Sequence, residues 1–67
     1  MAKIKLNGKN YSIHANTTLS SIIKKHKINT KKIAIEVNGK IIQKNNYRNV
    51  ILRELDKVEI VHFIGGG

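Results

Sequence analysis

The sequence predicts an α+β fold, in which one main helix packs on one face of a mixed sheet of about five strands. Short segments that alternate polar and apolar residues are typical of strands, and they stand on both sides of one stretch with helical spacing. Two Asn-Gly pairs, Asn7-Gly8 and Asn38-Gly39, each follow such a segment and indicate hairpin turns. A lone helix beside one sheet must cover one of its faces.

Each predicted hairpin consists of an alternating segment, an Asn-Gly pair and a second short apolar segment. The pair tolerates the positive φ that both central positions of a type I′ turn require, so we expect that turn in both hairpins. The segments are residues 3–6 and 11–15 in the first hairpin, and residues 33–37 and 40–42 in the second.

One amphipathic helix is predicted over residues 18–27. Thr17 and Thr18 offer hydroxyl groups that can cap its N-terminus. Lysines stand near its other end, where cations complement the helix dipole. Residues 28–32 are polar enough to form a loop. The positions at helical spacing are Leu19, Ile22, Ile23 and His26.

The second half of the chain is expected to contain an irregular segment and a last strand. Residues 45–49 are rich in turn-forming side chains, and the apolar residues Val50, Ile51 and Leu52 should fix this segment to the core. The last regular element is a strand over residues 58–64.

This last strand is apolar on both faces. If Val58 and Ile60 point towards the helix, Val61 and Phe63 point the other way, and a partner surface would explain that second apolar face. A right-handed crossover through the helix places the N- and C-terminal strands side by side in the middle of the sheet. The predicted topology is therefore the β-grasp arrangement.

The formal net charge of +9 leaves two interpretations open. Eleven of the thirteen basic residues are lysines spread along the chain, which is typical of a solvated surface in a lysine-rich composition. A basic face that docks an acidic protein partner is the other interpretation. No arginine cluster is interleaved with aromatic residues, and this argues against a nucleic-acid partner.

The composition offers little support for a catalytic or metal site. Cysteine is absent, and His14, His26 and His62 lie on three separate predicted elements. The four carboxylates are scattered, and no serine has a partner base at a recognisable spacing. No segment approaches the roughly 20 apolar residues of a membrane span. We therefore expect a soluble cytoplasmic protein that is not an enzyme, without metal or stably bound cofactor.

The chain resembles the ThiS-type sulfur carriers of thiamin biosynthesis, a branch of the ubiquitin-like β-grasp proteins that also contains the MoaD-type carriers. The resemblance extends over nearly the whole length, and its most specific part is a Val-Glu-Ile-Val strand that leads into terminal glycines. The chain departs from the family in its turns: Leu55 precedes Asp56 where a glycine is usual, Gln43-Lys44 replaces a Pro-Arg pair, and Tyr47 stands where tryptophan is common.

The resemblance implies a function for the C-terminus. A ThiF-type enzyme would use ATP to adenylate the carboxylate of Gly67, and a sulfur donor system would convert it into a thiocarboxylate. A ThiG-type thiazole synthase would then receive the sulfur. The resemblance thus divides the chain into a β-grasp domain, residues 1–64, and a flexible glycine tail, residues 65–67.

The tail residues suit this chemistry because glycine has no Cβ. Gly65, Gly66 and Gly67 can extend into a narrow enzyme cleft and adopt backbone angles that other residues avoid. Ordering such a tail costs on the order of 1–2 kcal/mol per residue, which apolar contacts by the adjoining strand would offset. The residues predicted to make these docking contacts are Val61, Phe63 and Ile64.

Two alternatives stay open at this point. A MoaD-type carrier for molybdopterin, or another ubiquitin-related sulfur carrier, would use the same tail with a different acceptor. A β-grasp module that binds RNA would make use of the positive charge, but it has no use for a free terminal carboxylate.

Overall fold

The computed structural model describes residues 1–62, which form five strands, one α-helix and two 3₁₀ helices. In chain order the regular elements are β1 (Ala2–Leu6), β2 (Lys9–Ile13), α1 (Leu19–Lys25), a first 3₁₀ helix (Thr30–Lys32), β3 (Ile33–Val37), β4 (Lys40–Ile42), a second 3₁₀ helix (Lys44–Asn49) and β5 (Lys57–His62).

The five strands form one mixed sheet in the order β2-β1-β5-β3-β4. β1 and β5 lie side by side in the middle and run parallel, while the other neighbouring pairs are antiparallel. The predicted α+β class and the predicted central position of the two terminal strands are both confirmed. We call the face of the sheet opposite α1 the outer face.

Both hairpin turns have the predicted backbone geometry. Asn7 and Gly8 have φ of 50° and 81°, and Asn38 and Gly39 have φ of 53° and 84°. Two successive positive φ values give the local twist that matches the twist of the flanking strands. The two Asn-Gly pairs therefore fix the registers of β1 with β2 and of β3 with β4.

The helix is shorter than the sequence predicted. Thr18 caps it, because its Oγ1 accepts a hydrogen bond of 3.2 Å from the Ser21 amide. At the other end the chain leaves the helix after Lys25, and Lys27 has a φ of 53°, which no right-handed helix contains. His26 was expected on the apolar face but is exposed at the C-cap.

Two further predictions need correction. The expected loop at residues 28–32 contains the first 3₁₀ helix, which Asn29 caps through a 3.0 Å bond from the Lys31 amide to Oδ1. Ile51 was expected in the core but is 48% exposed, because it alternates outward between Val50 and Leu52, which face the core, in a segment that pairs with Thr18. Leu52 is buried and Val50 packs against the core, as predicted.

The core lies between α1 and the sheet and is built from side chains that every element except β4 and the first 3₁₀ helix contributes. The buried residues are Ile4, Ile13, Leu19, Ile22, Ile23, Ile33, Ile35, Tyr47, Leu52, Val58 and Ile60.

No helix in the described part of the chain is long and apolar enough to span a membrane.

Candidate docking surface beside the C-terminal tail

β5 is the element that leads to the predicted tail, and it is held in the centre of the sheet. Val58 and Ile60 are buried against the helix, whereas Glu59 and Val61 alternate onto the outer face. Burying such aliphatic side chains contributes roughly 1.5–3 kcal/mol each. The strand therefore has a rigid inner side and an outer side that is free to contact a partner.

The outer face carries an exposed apolar patch around Val61. Val61 is 47% exposed and lies directly opposite Ala34 in the register of β5 with β3. Ile41 on β4 is 68% exposed and is a diagonal neighbour of Ala34, since it pairs with Glu36. We call Val61, Ala34 and Ile41 the outer apolar patch.

Two carboxylates border this patch. Glu36 and Glu59 are direct cross-strand partners in the register of β3 with β5, so both project from the outer face. Like charges at such positions disfavour the pairing. On the other side of β5, Lys57 lies opposite Lys5 of β1. The outer face thus carries both signs of charge next to its apolar patch.

β5 extends past the end of β1, and the turn between β1 and β2 supports it at this point. β1 ends at Leu6, and the Asn7 amide donates a 2.9 Å bond to the Val58 carbonyl. The Ile60 amide then donates a 2.7 Å bond to Oδ1 of Asn7, on the side of β5 where β1 has already ended. The side chain of a turn residue thereby continues the support of β5 towards residue 62.

A second asparagine fixes the beginning of β5. The Lys57 amide donates to Oδ1 of Asn38 at 2.9 Å, and Nδ2 of Asn38 donates to Oδ1 of Asp56 at 2.9 Å. The Arg53 amide donates to Oδ2 of Asp56 at 2.8 Å. The sequence analysis assigned Asn7 and Asn38 to turns and missed that both side chains bind β5; only their position, first in each Asn-Gly pair, could have indicated this.

One of the predicted site residues lies within residues 1–62, and the others lie beyond residue 62. Val61 is exposed on the outer face, the side opposite Val58 and Ile60, and its docking function stays a prediction. The other predicted site residues lie outside the described residues, and so does the predicted domain boundary at residue 64. These residues are Phe63, Ile64, Gly65, Gly66 and Gly67. Among residues 1–62, no three His, Asp or Glu side chains are grouped so that they could hold a metal ion.

Tyr47 is the one aromatic residue in the core of the described chain. It lies in the second 3₁₀ helix and is only 6% exposed. Burial disfavours the charged phenolate, and this raises the pKa of Tyr47 above its ordinary value of 10.0. The side chain therefore stays neutral across the physiological range and serves packing.

The strand order and the single covering helix define a ubiquitin-like β-grasp protein, a class in which the last strand lies in the middle of the sheet. The model of the ThiS family matches residues 4–67. The chain belongs to the ThiS family, and the predicted ThiS type is confirmed.

Similar proteins include carriers and larger enzymes. The sulfur carrier protein ThiS of Bacillus subtilis is 37% identical over 65 residues, which cover 96% of this chain and 98% of that protein. A thiazole synthase of Magnetococcus marinus is 40% identical over 65 residues. That match covers 97% of this chain, but the chain spans only about a fifth, 20%, of the length of that synthase.

A solved structure shows the same fold. The ThiS thiamine biosynthesis protein of Geobacter metallireducens superposes with a TM-score of 0.82 and 22% sequence identity. The superposition covers 97% of this chain and 99% of that one. It confirms that the described strands and helix form the predicted β-grasp arrangement.

Proposed function

We propose that this chain is the sulfur carrier protein for synthesis of the thiazole moiety of thiamin, with the carboxylate of Gly67 as the group that carries sulfur. The observation that supports this most strongly is the match with the Bacillus subtilis sulfur carrier, which extends over 98% of that protein and 96% of this chain. Family membership over residues 4–67 includes the glycines themselves.

The chemistry requires activation before sulfur transfer. A carboxylate is a poor electrophile, so a ThiF-type adenylyltransferase first joins a Gly67 oxygen to the α-phosphorus of ATP, and pyrophosphate leaves. A sulfur nucleophile at the oxidation level of sulfide, delivered by a donor system, then attacks the acyl carbon, and AMP leaves. The product is a thiocarboxylate, which gives its sulfur to a ThiG-type thiazole synthase.

The chain contributes to these steps a tail that enters the active site of the enzyme and a surface that binds the enzyme. Residues 65–67 form the tail beyond a domain of residues 1–64, and their lack of side chains suits a narrow activating cleft. Val61, together with Phe63 and Ile64, binds the partner enzyme. The outer apolar patch supports this assignment, because Val61 is exposed beside Ala34 on the strand that leads to the tail.

The carrier is a co-substrate rather than an enzyme and works in the cytoplasm. ATP is bound by the activating enzyme, and the carrier holds no cofactor of its own. Two curated thiazole synthases match this chain over 65 of their residues, about a fifth of their length. A synthase that contains a carrier-like region supports the pairing of this chain with a separate thiazole synthase.

Mass spectrometry of the intact carrier tests the proposal. After incubation with the ThiF-type enzyme of the same genome, ATP and a sulfur donor, we expect the gain of mass that replaces one carboxylate oxygen of Gly67 by sulfur. A matched variant with one alanine added after Gly67 has the same folded domain and should gain nothing. An unchanged mass of the unextended carrier, or sulfur transfer by the extended one, would refute the proposal.

A further inference from the structure

The charges of this chain are unevenly distributed over its surface. Glu36 is the only acidic residue among the first 53, and it projects from the outer face. The segments around α1 and the two 3₁₀ helices carry seven exposed cations and no carboxylate. We call these seven residues the helix-side basic face: Lys24, Lys25, Lys27, Lys31, Lys32, Lys44 and Arg48.

Part of this face is a groove between α1 and the second 3₁₀ helix. Lys24 lines it from the helix, and Lys44 and Arg48 line it from the opposite wall. Ser20 and Thr30 add hydroxyl groups to the same groove. Cations from distant parts of the sequence therefore converge on one concave, hydrogen-bonding surface.

If the positive charge reflected only a lysine-rich composition, cations and carboxylates would be mixed on every face. Two of the four acidic residues lie in the loop before β5 and accept backbone hydrogen bonds, Glu54 from the Lys3 amide and Asp56 from the Arg53 amide. The other two, Glu36 and Glu59, lie on the outer face. Seven like charges with no carboxylate among them repel one another and oppose folding. Their segregation therefore points to a partner that offsets this repulsion.

We propose that the helix-side basic face binds an acidic protein surface, rich in Asp and Glu carboxylates, on the adenylyltransferase that activates the carrier. This inference rests on the proposed function for the identity of the partner. The groove of this face borders the outer apolar patch at Lys44, which also lines a second groove with Ala34 and Ile41. An enzyme that contacts the patch can therefore also reach the cations of the groove while the tail enters its active site.

The residues of the face favour a protein over a nucleic acid. Six of the seven cations are lysines, which act as hydrated point charges and do not form the bidentate phosphate contacts of arginine. Stacking of bases needs exposed aromatic side chains, and Tyr47, the aromatic residue of this groove, is buried. Complementary charge also suits a carrier, because it accelerates association with an enzyme that must soon release it.

Two triple variants of equal charge test the inference. Lys24→Glu, Lys44→Glu and Arg48→Glu reverse the groove, while Lys9→Glu, Lys40→Glu and Arg53→Glu reverse three exposed cations elsewhere. Each variant replaces two lysines and one arginine and lowers the net charge from +9 by six units to +3. Any difference between them reports the position of the charges, since their number is the same.

The measurement is the association rate with the ThiF-type enzyme in stopped flow, at several salt concentrations. We expect the groove variant to associate about tenfold more slowly than the unaltered carrier at low salt, and the control variant to stay within about twofold. The difference should disappear in about 0.5 M salt, where charges are screened within a few Å. Circular dichroism verifies that both variants are folded.

Equal slowing of both variants, or no slowing of either, would overturn the inference. A second result would also refute the inference. In it, the groove variant loses binding to a short single-stranded or duplex RNA at physiological salt, but its association rate with the enzyme is unchanged. Conversion at Gly67 is measured separately by mass at saturating enzyme. A carrier that binds normally but gains no mass would overturn the proposed function and leave the basic face as assigned.

Discussion

The Ile60 amide donates a 2.7 Å hydrogen bond to Oδ1 of Asn7, across 53 positions of sequence. Asn7 is also a turn residue with a φ of 50°, so one side chain both closes the first hairpin and supports the last strand. Ile60 pairs with Ile35 of β3 on one side, and because β1 ends at Leu6, this bond takes the place of a β1 partner on the other side. The geometry of β5 near the tail therefore depends on the β1–β2 turn.

Replacing Asn7 separates its two functions. Asn7→Ala should lower the free energy of unfolding by about 2 kcal/mol, because it loses the hydrogen bond and places alanine at a positive φ. Asn7→Gly tolerates the positive φ and should lose only the hydrogen bond, about 1 kcal/mol. Urea unfolding followed by circular dichroism measures both values. Equal stability of Asn7→Gly and the unaltered protein would show that the bond to Ile60 contributes nothing.

Leu55 occupies a turn position that suits glycine. Its φ is 71° and its side chain is 77% exposed, so a left-handed backbone brings no compensating burial. Leu55→Gly should raise the free energy of unfolding by about 0.5–1 kcal/mol, since relief of the left-handed strain outweighs the extra freedom of the unfolded chain.

Thermal and urea unfolding of Leu55→Gly and Leu55→Ala check this prediction. Leu55→Ala is the matched control, because it removes the same exposed side chain but keeps the Cβ and therefore the strain. If the alanine variant were as stable as the glycine variant, the exposed leucine side chain, and not its backbone, would be the cause.

Val61 offers a test of the outer apolar patch that does not disturb the core. Val61→Ser should weaken binding to the ThiF-type enzyme by about tenfold, which corresponds to about 1.4 kcal/mol, as expected when an aliphatic side chain is lost from an interface. The stability of the free carrier should change little, because Val61 is 47% exposed. Isothermal titration calorimetry gives the affinity.

Ile51→Ser is a suitable control for Val61→Ser. Ile51 is 48% exposed, almost the same as Val61, but its backbone pairs with Thr18, outside the outer apolar patch. Its replacement should leave the affinity unchanged. Equal loss of affinity in the two variants would indicate a general effect of surface hydrophobicity and would remove Val61 from the docking surface.

Local patterns in the sequence predicted most of the fold, because strand alternation, the two Asn-Gly turns and the Thr18 cap are each encoded within a few neighbouring residues. The predictions were wrong or incomplete where contacts between residues far apart in the sequence determine the structure. Ile51 has an apolar side chain, but where its segment pairs with Thr18, Val50 and Leu52 face the core and Ile51 is left exposed. Neither alternation nor turn preference could reveal the bond from Ile60 to Asn7, since its two ends are joined only by the folded topology.

The candidate site was predictable to a different extent. The alternation of β5 was enough to place Val61 on the face of the sheet that Val58 does not occupy, whereas the reactive role of the glycine run stays a prediction. The outer apolar patch needed more, since Ala34 and Ile41 join Val61 only through the registers of β3 with β5 and β4. The sequence shows an excess of lysine and few carboxylates, but only the fold brings Lys24, Lys44 and Arg48 to one groove.

Tyr47 should make stability depend on pH in the alkaline range. Burial raises the pKa of Tyr47 above 10.0, so the folded protein retains the phenolic proton to a higher pH than the unfolded chain does. Its contribution to stability is therefore full below pH 10.0 and declines as the pH rises above that value, when the unfolded chain loses the proton first. Lysines titrate in the same range, so a reference variant is required.

Tyr47→Phe provides this reference, because it keeps the buried ring and removes only the titrating hydroxyl group. Urea unfolding from about pH 8 to about pH 11 should give parallel stabilities for the two proteins up to about pH 10, and a steeper decline for the tyrosine protein above it. The lysine contributions are common to both proteins and cancel in the difference. Identical declines would mean that the folded and unfolded chains bind the Tyr47 proton equally well, which contradicts burial as the cause of the raised pKa.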